Sequence, residues 1–164
     1  MAIVQAKPET KLADSSINRQ DRVDDKLMKP GKYEVSRDTV FTVTIYSKEK
    51  DGRWILMPGP GRGIETNSVV FRMWTYDEMV EMRKMSTSFD VQKRLHLIDN
   101  DALNRLKIQR LLISWTFDKD NPRLKIWHAG GVMTDESWNA FKNLQPNIAN
   151  EIIDEMNKVY EFNG

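Results

Sequence analysis

The sequence predicts an α+β fold, with a small antiparallel β-sheet in the N-terminal half, a helical C-terminal half and a mobile N-terminal arm. Three observations carry this prediction. Thr39 to Tyr46 is an unbroken run of β-branched and aromatic residues, the composition that suits a pleated, half-buried surface. A capping box stands at Thr75-Tyr76-Asp77-Glu78, and apolar residues behind it recur at helical spacing. Ahead of residue 39 charges are dense and no period of 2 or 3.6 is sustained, so that stretch buries too little to offset its ordering entropy.

Residues 1–38 are therefore expected to be an extended or disordered arm, and 39–164 a single domain, mainly β over 39–74 and mainly α over 75–164. In the first strand Phe41, Val43 and Ile45 share one side and Val40, Thr42, Thr44 and Tyr46 the other. A polar connection containing Asp51-Gly52 leads to Trp54-Ile55-Leu56-Met57, which reads as the second arm of an antiparallel hairpin. After the loop Pro58 to Gly63, the run Ser68 to Trp74 supplies a third strand.

Thr75 then caps a short helix reaching about Met85, and Ser86-Thr87-Ser88 breaks it. From about Asp90 to Trp115 the period reads as helical, with a break allowed at Asp99-Asn100-Asp101. Ile108, Leu111, Leu112 and Trp115 stand at i, i+3, i+4 and i+7, and Leu103, Leu106 and Ile113 widen the apolar face, so a central helix near Leu103 to Trp115 is expected. A brief strand through Leu124, Ile126 and Trp127 is expected to end at Gly130-Gly131. Thr134 with Asp135 and Glu136 opens another helix lined by Trp138, Phe141 and Leu144, and Pro146 starts a final helix striped by Ala149, Ile152, Ile153, Met156, Val159 and Tyr160.

The chain has no cysteine, so disulfides and thiolate metal sites are excluded and a cytosolic setting is expected. No leader-like start and no apolar run of membrane-spanning length is present. Basic and acidic residues nearly cancel, at 25 against 24, and they interleave, which disfavours nucleic acid as a partner because phosphate binding draws on a basic excess.

Candidate chemistry is sparse. His96 has no Cys, His or carboxylate at i+4 and both His96 and His128 read as structural residues, so no metal site is expected. The Pro58 to Gly63 loop is followed by Ile64-Glu65-Thr66 and a strand, where a phosphate-binding loop needs Lys-Ser or Lys-Thr and a helix, so no nucleotide cofactor is expected. Asp77/Glu78, Asp99/Asp101 and Asp135/Glu136 all stand at helix starts or polar breaks, where capping explains them, and no GxSxG element accompanies any serine. The expectation is a binding protein with neither catalytic residues nor a cofactor. Methionine and tryptophan suit adaptable contact faces, so Tyr76, Met79, Met82, Arg83, Met85, Trp138 and Phe141 are the candidate partner-binding residues, with core packing as the competing reading.

Six short stretches carry a resemblance. Phe71 to Glu78, Glu81-Met82-Arg83-Lys84 and Leu111 to Trp115, followed by Thr134 to Phe141, Leu144-Gln145-Pro146 and Ile148 to Ile153, resemble the tail assembly chaperones of long-tailed bacteriophages over a little more than half of the chain. The resemblance implies a protein that binds the tape-measure protein or tail-tube subunits in the host cytoplasm, through the helical half from Thr75 onward. The charged arm and the Pro58 to Gly63 loop depart from the family pattern. They leave open a virion component of the tail, baseplate or neck, laced to neighbouring subunits by its arm, and a homo-oligomer is compatible with both.

Overall fold

In a computed structural model, residues 34–36, 38–117, 121 and 125–163 are described. The expected arm over 1–38 therefore falls almost wholly outside the described residues. Alternation dictates the sheet. In β1 (Val40–Lys50), Val43, Ile45 and Ser47 point inward and are buried, while Val40, Thr42 and Thr44 face out. An Asp51-Gly52 turn, both residues at positive φ, returns the chain as β2 (Arg53–Leu56), which pairs antiparallel with the far end of β1. Val40 to Ser47 of β1 pair antiparallel with β3 (Glu65–Arg72), placing Val43 opposite Val69 and Phe41 opposite Phe71.

Thr75 accepts from the amide of Glu78 while the Glu78 carboxylate accepts from the amide of Thr75, and the expected helix follows as α1 (Tyr76–Met85). The next segment departs from the helical expectation. Thr87–Asp90 and Leu95–Ile98 are strands β4 and β5 of a separate two-stranded antiparallel ribbon, so His96 sits in a strand. Only then does the central helix α2 begin (Asn100–Leu111), with the Asp99 side chain accepting from the amide of Ala102. It also ends earlier than its period suggests. Leu112–Trp115 is β6, which joins the sheet beside β3 in the order β2-β1-β3-β6. Pairing with β3 supplies backbone partners and seats Leu112 in the core, which outweighs continuation of the helix.

The expected strand before Gly130-Gly131 is displaced. Residues 125–127 carry no regular structure, Leu124 lies outside the described residues, and the two glycines, both at positive φ, turn a small hairpin of β7 (His128–Ala129) and β8 (Val132–Met133). Helices α3 (Asp135–Lys142), capped by Thr134, and α4 (Pro146–Asn163) stand where expected. The α4 stripe of Ile148, Ile152, Met156 and Tyr160 packs into the core shared with the inner face of the sheet. Phe41 and Phe71 stack at 5.3 Å between centroids, and the Tyr160 ring meets Phe41 edge-on at 5.1 Å. The Tyr160 hydroxyl donates to the carbonyl of Arg72 at 2.6 Å, satisfying a polar atom carried into the core.

Candidate functional site

The β4–β5 ribbon grows from the residues that flank it. Ser86 ends α1, with its amide and hydroxyl both donating to the carbonyl of Met82, and the amide of Asp99 donates back to the carbonyl of Ser86 at 2.8 Å. That bond starts the ladder, and Phe89 against His96 continues it, with rings 5.1 Å apart. The tip turns without glycine. The Asp90 carboxylate accepts from the amides of Gln92 and Lys93, and Arg94 takes a left-handed φ of 56°.

Thr87, Phe89, His96 and Ile98 share one face of the ribbon by register, and Ser88, Asp90, Leu95 and Leu97 share the other. Both faces carry exposed apolar side chains. Phe89 is 53% exposed and Val91 at the tip 76%, with Leu95, Leu97 and Ile98 also exposed. Such a ribbon is marginal on its own, and leaving each of these side chains half in water forgoes roughly 1 kcal/mol. Scattered exposed apolar residues are ordinary, but here five fall within the ten residues from Phe89 to Ile98, spread over both faces and the tip of one hairpin.

The seven residues expected to bind a partner divide. Tyr76 and Met85 are exposed on α1, Met79 is half-buried, and Arg83 lies over the ring of Trp74 at 5.9 Å. Met82 and Phe141 are core residues, 1% and 5% exposed, and offer no surface. They close the apolar faces of α1 and α3, so their helical spacing reports packing. Trp138 is half-buried and stacks on Phe141 at 5.7 Å. The apolar residues of the ribbon escaped sequence reasoning, and the signal that could have found them is the pair of short runs Thr87 to Phe89 and Leu95 to Ile98 flanking the charged pentapeptide Asp90 to Arg94.

Four titratable groups, Arg72, Glu78, Lys107 and Tyr160, have partners within the fold. The Arg72 guanidinium grips the Glu78 carboxylate with two bonds of 2.9 Å, which holds Glu78 below the usual carboxylate range and raises Arg72. Lys107, 1% exposed, donates to the Asn157 amide oxygen at 2.7 Å and faces the rings of Trp74 and Tyr160 at 5.1 and 5.7 Å. Burial lowers its pKa, Glu161 at 3.9 Å opposes the shift, and the nearby Arg83 adds to it. Burial pushes the Tyr160 hydroxyl far above its usual range.

Beside α2 and α4 lie two open clefts. One of about 230 Å³ is lined by Asp101, Asn104, Arg105, Ile108 and Ile153, and one of about 370 Å³ by Asp154, Asn157, Lys158 and Glu161. Neither has the mostly apolar, enclosing wall of a small-molecule pocket. Among the described residues no group of three or more His, Asp or Glu could hold a metal ion, and no helix is long and apolar enough to cross a membrane.

No family model matches the chain, and neither a curated protein nor a solved structure does.

Proposed function

We propose that this chain is an assembly chaperone of the phage tail class, holding the tape-measure protein or tail-tube subunits by non-covalent contact during virion assembly. The observation that carries the reading is the β4–β5 ribbon, with Phe89, Val91, Leu95, Leu97 and Ile98 exposed on a hairpin that stands apart from the main sheet. A chaperone needs apolar side chains held in water until a client covers them, and a narrow ribbon can lie along the apolar stripe of a client helix. The segments Phe71 to Glu78, Leu111 to Trp115 and Thr134 to Ile153 support the same class by resemblance. Tyr76 and Met85, exposed on the helix that leads into the ribbon, extend the proposed client face.

Co-expression with the tape-measure protein of a long-tailed phage tests the reading. The expected result is a soluble complex that co-elutes, lost in a variant carrying Phe89→Ser, Leu95→Ser and Leu97→Ser. Unchanged client solubility with the native chain, or retention by the triple variant, would count against it. Mass spectrometry of purified particles separates the second reading of a virion component, which requires the chain at fixed copy number in finished particles.

A further inference from the structure

We propose that β5 pairs edge to edge with the β5 strand of a second copy, so that two ribbons complete a four-stranded intermolecular sheet. The hydrogen-bond phase of the ribbon indicates which groups are free for this. The amide of Asp99 donates to the carbonyl of Ser86, so residue 99 faces β4, and by alternation Leu97 and Leu95 do too. The backbone N–H and C=O of His96 and Ile98 therefore point away from β4, and among the described residues no strand lies against that edge.

The main sheet treats an edge differently. On β2, the Trp54 amide donates to the Gln145 side-chain oxygen, and the Trp54 carbonyl accepts from the side-chain amides of Gln145 and Asn147. Two side chains thus close that edge against strand addition. Among the described residues β5 has no such cover, and Leu95, His96, Leu97 and Ile98 include no Lys, Arg, Asp or Glu.

Charge selects the occupant. Lys93 and Arg94 stand at the turn end of β5, and Asp99 and Asp101 at its base. Antiparallel self-pairing about a two-fold axis sets the basic end of each copy beside the acidic end of the other, whereas parallel pairing would stack like charges. The same pairing brings Leu95 and Leu97 of both copies onto one face, doubling its apolar width. A ribbon too small to be stable alone thereby gains the third and fourth strands that it lacks.

This inference goes beyond the client reading and is separable from it. Sedimentation velocity on the full chain between 5 and about 100 μM is expected to show a monomer–dimer equilibrium. His96→Pro removes an outward N–H and spares the β4–β5 backbone hydrogen bonds, at the loss of the Phe89 ring contact across the ribbon, and is expected to leave a monomer with unchanged far-ultraviolet circular dichroism. Lys93→Glu, at an exposed turn position, is expected to weaken the dimer roughly 3- to 10-fold, because each interface contains the contact twice. A monomer at every concentration, or a dimer that survives both substitutions, overturns the proposal. A monomer that still retains the tape-measure protein sinks the pairing alone, and a dimer that ignores that client sinks the client reading alone.

Discussion

Lys107 shows how one residue sets a pH dependence. Its amine gives up hydration for one amide oxygen, two ring faces and a distant carboxylate, and burial holds its pKa below the usual 10.5. Between the lowered folded value and 10.5 the unfolded chain binds more protons, so this residue makes stability rise with pH across that window, and below it the penalty is complete. Lys107→Met is expected to remove that slope and to change stability at pH 7 by no more than about 1 kcal/mol, since losing the buried charge offsets losing its partners. Urea unfolding of both proteins at pH 7, 9 and 10 measures the difference. Glu78 has the opposite consequence in acid. With its folded pKa held below 4.5 by Arg72, its contribution is full above 4.5 and disappears as pH falls through the depressed value. Glu78→Gln is expected to cost roughly 0.5–1 kcal/mol at pH 7 and progressively less as pH falls below 4.5, the partial exposure of the pair keeping the figure small. Tyr160→Phe, which leaves the Arg72 carbonyl without its hydroxyl donor, is expected to cost about 1 kcal/mol in denaturant unfolding.

Elements whose local chemistry agrees with their tertiary setting were legible in the sequence. The alternation of Phe41, Val43 and Ile45, the Thr75–Glu78 capping box, the Thr134 cap and Pro146 at the first turn of α4 each name a structure by mechanism, and each is present. The ribbon was not legible, because Leu95, Leu97 and Ile98 can be placed on a helical face as easily as on a strand, and the Val91 to Arg94 turn contains none of Gly, Pro or Asn. A left-handed arginine leaves no mark in composition. Leu112 to Trp115 was misread for a related reason. Nothing breaks the period between Leu111 and Leu112, and only a partner strand remote in sequence turns that residue from helix to sheet. Among the candidate residues, Met82 and Phe141 rest on the suitability of methionine and aromatic side chains for contact faces, and both are buried, whereas the exposed apolar residues of the ribbon lie in the segment read as helix. At this scale Gln145→Leu is expected to cost about 1 kcal/mol by leaving the Trp54 amide without its acceptor while the carbonyl keeps Asn147, and to raise aggregation in light scattering as the β2 edge opens.

For the molecule as a whole, stability should be graded outward from the core. Amides of β1, β3 and α4 are expected to exchange with deuterium only through global unfolding, since these elements carry Val43, Ile45, Val69, Phe71, Ile152, Met156 and Tyr160. Amides of β4 that bond β5 are expected to exchange orders of magnitude faster in dilute protein and to slow when the ribbon is covered. Equal protection across the ribbon and the main sheet at low concentration would contradict this grading.

The junctions at the two ends of α2 leave no slack. β5 reaches the helix through Asp99 alone, and the helix hands over to β6 between Leu111 and Leu112 with no intervening residue. Ribbon, helix and sheet edge are thus geared like parts on one shaft. Adding a single residue to α2 would turn one end about 100° against the other, so the ribbon would swing to a new flank or Leu112 would leave the core, and the direction in which the ribbon points is held by the length of a twelve-residue helix.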